Sequence, residues 1–192
     1  MSNSHLTYTD SNATAQRVGS VSCYPVAVSA LQGPAAVFSV RIDSLSGKSN
    51  WLTFGLAKKG IAKDSSDGMG RTKDSWGIAD DRSSSSSATY HACGTKALGS
   101  LSRKLREGDL LTAEANTSAG WCEVRLNETE FKHRFSIPAG PHEGYVFGVS
   151  FSNDAKVCIL PTVSGSATTP AAAIVPAVNP SGAGKQQLYI SI

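Results

Sequence analysis

Helical periodicity is what this chain most plainly lacks: nowhere in its 192 residues do apolar side chains recur at three- and four-residue intervals over the length of a helix. That excludes a helical bundle and argues against an alternating α/β fold. No apolar run approaches the length of a membrane span, so no membrane partner is expected. The opening residues, MSNSHLTYTDSNATAQR, have neither a basic n-region nor an apolar h-region, so a signal peptide is not expected and a cytoplasmic setting is. Cysteine is sparse. The four present, Cys23, Cys93, Cys122 and Cys158, lie far apart in apolar runs with no close ligand spacing, which points to free buried thiols rather than disulfides or a metal site. Charge of one sign is missing too: 18 Lys and Arg are dispersed among 15 Asp and Glu, for a net +3, so no phosphate-binding stripe forms and nucleic acid is not an expected partner.

Several fragments look like chemistry and stop short of it. Gly182-Ala-Gly-Lys185 resembles the end of a phosphate loop, but Asn179 stands where the first glycine belongs and Gln186 where Ser or Thr belongs. Gly68-x-Gly70 is a fragment of a dinucleotide fingerprint with no helix after it. His91 and Cys93, two apart on a strand, share a face with their side chains several Å apart, which suits packing rather than an activated nucleophile. His133, with no second histidine at metal spacing, reads as a surface residue. The carboxylates Asp80, Asp81, Glu107, Asp109, Glu128 and Glu130 are scattered, and only convergence of two in a cleft would make a glycosidase. The serine run 83–87 is a loop that could accept phosphate. Asn12, Asn116 and Asn127 match the glycosylation pattern but serve as turn residues.

What the chain has is alternation. Leu111, Ala113 and Ala115 before a turn at Asn116 to Gly120, and Cys122, Val124 and Leu126 after it, predict a β-hairpin with one dry face. Pairing Ala115 with Cys122 sets Glu114 opposite Glu123 on the wet face. That like-charge pair calls for a cation such as Arg125 or Lys132 nearby. Other strands are predicted over Val26 to Ala30, Phe38 to Ile42, Leu52 to Leu56, Ser75 to Ile78, Thr89 to Cys93, Phe131 to Ile137, Tyr145 to Phe151 and Val157 to Ile159, with a phase change at Tyr24-Pro25. Many short strands with frequent turns predict an all-β fold, a β-sandwich. Residues 1–17 read as a polar flexible leader, 18–161 as the sandwich and 162–185 as a Ser/Ala/Pro/Gly-rich linker. The alternating QLYISI closing the chain, in residues 186–192, reads as a strand that pairs with the domain's own edge or with a partner.

The order Phe38-Ser-Val-Arg-Ile, Trp51-Leu-Thr-Phe-Gly-Leu, Ser75-Trp-Gly-Ile, Tyr90-His-Ala-Cys-Gly, Arg106-Glu-Gly-Asp-Leu, Gly120-Trp-Cys-Glu-Val-Arg-Leu-Asn and Tyr145 to Pro161 resembles the SPRY domain, with the neuralized-type repeat a close relative. The resemblance runs in collinear order from about Val18 to Pro161. It implies a bent antiparallel β-sandwich of concanavalin-like jelly-roll type, acting without a cofactor as a non-enzymatic module that binds a protein or short peptide through loops at one end. In peptide-binding members the loop between the last two core strands contributes, which carries over to Ser152, Asn153 and Asp154. The polar, Gly-rich loops add Lys58, Lys59, Arg71, Asp80, Asp81 and Arg82 as partner-binding candidates, since loops on a rigid scaffold carry function. An adaptor or scaffold subunit is the expected role. The alternatives are a lectin-like sandwich using Trp51 and Trp121, and a glycoside hydrolase on the same scaffold.

Overall fold

The computed structural model describes residues 6–9, 14–17, 26–45, 51–60, 70–81, 87–94, 97–151 and 155–160. Thirteen strands appear among them: β1 (Leu6–Thr9), β2 (Thr14–Arg17), β3 (Val26–Ala30), β4 (Ala35–Ser44), β5 (Trp51–Lys58), β6 (Ser75–Asp81) and β7 (Thr89–Ala92), followed by β8 (Gly99–Ser100), β9 (Leu110–Asn116), β10 (Trp121–Leu126), β11 (Phe131–Ser136), β12 (Tyr145–Phe151) and β13 (Lys156–Leu160). A single 3-10 turn, His142–Gly144, leads into β12. The strands form two sheets, a seven-stranded one ordered β1-β2-β13-β4-β9-β10-β11 and a six-stranded one ordered β3-β12-β5-β6-β7-β8, with antiparallel neighbours throughout.

Alternation sends one set of side chains inward from each sheet. Phe38, Val40 and Ile42 of β4, with the apolar faces of β9 and β10, meet Leu52, Phe54 and Leu56 of β5, Trp76 and Ile78 of β6, and Phe147 and Val149 of β12. At the centre the Phe38 ring stacks between Phe54 and Phe147, with centroids 5.8 and 5.7 Å away. The β9–β10 register is the one face alternation predicts: Ala115 faces Cys122, Ala113 faces Val124, Leu111 faces Leu126 and Glu114 faces Glu123. On the outer side of the other sheet, Gly148, Gly55 and Gly77 form a row across β12, β5 and β6. The chains approach so closely there that a Cβ on Gly55 would lie 2.0 Å from the Trp76 carbonyl oxygen.

The amino-terminal boundary is corrected. The leader expected over residues 1–17 supplies β1 and β2, and β2 pairs with β13 through Gln16 opposite Lys156 and Thr14 opposite Cys158. β1 ends the sheet and β2 lies between it and β13, and at four residues each LTYT and TAQR are too short to show a period in the sequence. The expected phase change at Tyr24-Pro25, Val21, Cys23, the serine run, the linker 162–185 and the strand at 186–192 lie outside the described residues.

Cysteine burial is corrected as well. Cys122 is buried and its thiol is pushed up by burial and the neighbouring glutamates, but Cys158 is half-buried, and Cys93 is exposed on a turn with φ of 52°. His91 is buried and shares a 2.7 Å hydrogen bond with the Thr89 hydroxyl. His91 and Cys93 therefore sit in different environments and form no nucleophile pair.

Candidate binding ends and the frame beneath them

Strand direction divides the candidate residues between two ends of the sandwich. Ala57 of β5 faces Ser75 of β6, and Lys58 faces Tyr145 of β12, so Lys58, Lys59 and Arg71 gather at one end. Trp51 faces Asp81 and Leu52 faces Phe151, so β6 and β12 finish at the other end; the candidates Arg82, Ser152, Asn153 and Asp154, which follow them in sequence, lie outside the described residues. Seven residues of β6 separate the two ends by about 20 Å. The expectation of loops at a single end thus resolves into two separate sets.

At the first end, Lys58 pairs with Asp74 at 3.1 Å and Lys59 is exposed while its amide donates to the Gly144 carbonyl. Arg71 is half-buried, and Gly94 donates from its amide to the Gly70 carbonyl, which ties the turn after β7 to the chain entering β6. The Tyr145 hydroxyl donates to the Pro138 carbonyl and fastens the β11–β12 connection alongside.

The second end rests on a polar frame. Asp80 is fully buried, on the inward parity of Trp76 and Ile78, and its Oδ2 accepts the Leu105 amide at 2.7 Å. Its place among the surface candidates is corrected accordingly: Asp80 holds the segment that crosses the end of the core, and a partner cannot reach it. Next to it, Arg103 donates through both terminal nitrogens to Asp109 at 2.8 Å, and its Nε lies 2.6 Å from Glu130. Asn127 donates to Asp109 and Glu130 and accepts the Leu110 amide, and the Arg106 amide donates to Asp109. Asn127 and Glu128 both adopt positive φ, 47° and 56°, as the tight β10–β11 turn requires. Burial pushes the Asp109 carboxyl up, but the Arg103, Asn127 and Arg106 hydrogen bonds outweigh it and hold it below the usual carboxylate range. The Arg103 guanidinium is held further toward its charged form by the same two carboxylates.

On the outer face of β9–β10–β11 the glutamate pair finds its cations. Arg125 contacts Glu114, Glu123 and Glu128, while Lys132 and Arg134 reach Glu123 at 3.3 and 3.0 Å. Glu123 is only 1% exposed, so the solvated face expected there is corrected to one roofed by long cationic side chains. Burial raises the Glu123 carboxyl, yet its bonds to Arg125 and Lys132 bring it below the ordinary range. Arg134 lies 4.2 Å over the Trp121 ring. That occupies the aromatic face a sugar would need.

His133 is corrected from surface residue to flank packing. Its ring sits 4.2 Å from Tyr90 and 4.6 Å from Phe135, with Phe131 5.3 Å from Tyr90, closing the side of the sandwich between β7 and β11. Burial holds its imidazolium pKa below the usual 6.5. Because the unfolded chain takes up this proton more readily than the fold does, the His133 contribution is fully present above pH 6.5 and falls away as pH drops through the folded value. Urea midpoints at pH 7.5 and pH 5 should therefore differ more in the native chain than in His133→Phe; equal differences would contradict this placement.

Among the described residues no cluster of His, Cys, Asp and Glu could hold a metal ion, and no helix is long and apolar enough to cross a membrane. No protein-family model matches the chain, and no curated protein matches its sequence. Solved structures do match. A human SPRY domain aligns with a TM-score of 0.57 at 14% identity, covering 81% of this chain and 94% of that one. The SPRY domain of human HERC1 gives 0.54 at 12% identity over 80% and 91% of the two chains. The TRIM65 PSpry domain gives 0.54 at 14% identity over 83% and 87%. The chain has the SPRY fold, an all-β sandwich of two antiparallel sheets.

Proposed function

We propose that this chain is a non-enzymatic protein-binding module, an adaptor or scaffold subunit of the cytoplasm, that grips its partner at the end where β6 and β12 finish. The observation carrying this reading is the adjacency of β6, β5 and β12. Asp81 and Phe151 lie two strands apart, about 10 Å, and Arg82 and Ser152 to Asp154 are the residues that follow them in sequence. The Arg103–Asp109–Glu130 frame supports the same end with fixed geometry, as a binding rim requires. Lys58, Lys59 and Arg71 belong to the far end and to a separate surface.

The glycan reading loses its support at Trp121, whose ring face Arg134 covers. The hydrolase reading loses Asp109 and Glu130, because Arg103 holds both as ion pairs rather than leaving one to exchange protons.

Two charge-altered chains test the assignment. Arg82→Glu combined with Asn153→Ala is expected to lower quantitative recovery of co-purifying protein by about tenfold, equivalent to about 1.4 kcal/mol. Lys58→Glu with Lys59→Glu should leave recovery within about twofold. Equal recovery by the first variant and the native chain would overturn the choice of end.

A further inference from the structure

We propose that the closing segment, residues 186–192, docks as an added antiparallel strand on the edge of β11. β11 ends its sheet: its six residues pair with β10 on one side, and no described strand lies on the other. Its inward residues Phe131 and His133 are only half-buried against Tyr90, and Leu98, whose amide donates to the Tyr90 carbonyl, is 53% exposed. Leu98 is the exposed large hydrophobic among the described residues. An open edge beside an uncovered apolar flank is where a strand with one apolar face gains most.

Gln187 to Ile192 has such a face in Leu188, Ile190 and Ile192. Direction and reach agree. Leu160 lies opposite Ser39, and β13 is therefore heading for the end where β11 finishes at Ser136. A chain returning from that end runs antiparallel to β11. The added position lies five strand spacings from β13, about 24 Å, and a Ser/Ala/Pro/Gly-rich stretch the length of residues 161–186 has a root-mean-square span of about 28 Å. Tethering supplies an effective concentration in the millimolar range.

The other occupants fit less well. Two β11 edges meeting as copies would bring Lys132 and Arg134 against their like. An acidic partner strand finds those two cations already engaged by Glu123. The closing segment is uncharged from Gln186 to Ile192 and meets neither penalty.

Hydrogen exchange on the full chain tests this. The edge-facing amides of β11 are expected to be protected, and Ile190→Asp should raise their exchange at least about tenfold while β9–β10 protection stays unchanged as the control for folding. Ser191→Asp, on the opposite face, should leave β11 protected. Unprotected β11 edge amides in the native full chain would overturn the proposal, whatever the variants do. So would protection that survives Ile190→Asp and rises with protein concentration, which would assign the edge to a second copy.

Discussion

Replacing Arg103 with methionine is expected to destabilise the fold by about 3 to 5 kcal/mol, because it leaves the buried Asp109 carboxylate without its strongest partner. Two other donors remain, the Asn127 side chain and the Arg106 amide, and they cannot replace a bidentate guanidinium. The pH response carries the signature. In the native chain Asp109 is held below its ordinary 3.8, so its contribution is present above that value and is lost as pH falls through the folded one. Without Arg103, burial dominates and the carboxyl rises above its unfolded value, so protonation favours the fold and the variant's deficit against the native chain shrinks as pH falls. Denaturant midpoints measured from pH 7 to pH 3 should show this narrowing, and adding Asp109→Asn should recover part of the stability. A cost under about 1 kcal/mol would mean that the pair is as weak as an exposed one.

The second large effect is expected at Phe38. Truncation to alanine removes the middle ring of the Phe54–Phe38–Phe147 stack and should cost about 3 to 5 kcal/mol, the range for an aromatic deleted from a closed core. Phe38→Leu retains much of the volume and should cost about half as much. Because this ring joins the two sheets and touches neither end, chains that remain folded should keep their partner recovery. Arg103→Met should reduce both stability and recovery, since the frame lies under the proposed rim. That contrast separates a scaffold residue from one that shapes the binding end.

The β9–β10 register was legible because a one-residue slip would have turned Leu111, Ala113 and Ala115 out of the core, leaving one energetically sensible pairing. The need for cations beside Glu114 and Glu123 was legible from the same register. The burial of Glu123 was not, since it depends on Lys132 and Arg134 arriving from the next strand, a contact that period-two patterning does not encode. Asp80 misled for a related reason: a carboxylate on inward parity reads as a loop charge until the Leu105 amide is found beside it. β1 and β2 were hidden because four residues each are too few to establish an alternating pattern.

The division of the candidates between two ends did have a sequence signal. Lys58 and the turn beyond it close a strand that begins at Trp51, so residues flanking its two termini belong to opposite ends. His133 had a weaker one in its inward parity with Phe131 and Phe135. A titratable ring between two phenylalanines on one face signals packing rather than exposure.

The central claim is that recognition occurs at the Asp81–Phe151 end, and lysine crosslinking of the captured complex followed by mass spectrometry tests it most directly. Lys104 lies on the chain segment that crosses this end, beside Arg103 and Leu105, whereas Lys58, Lys59 and Lys73 lie at the other. The account predicts partner crosslinks at Lys104. Crosslinks confined to Lys58, Lys59 and Lys73 would contradict it.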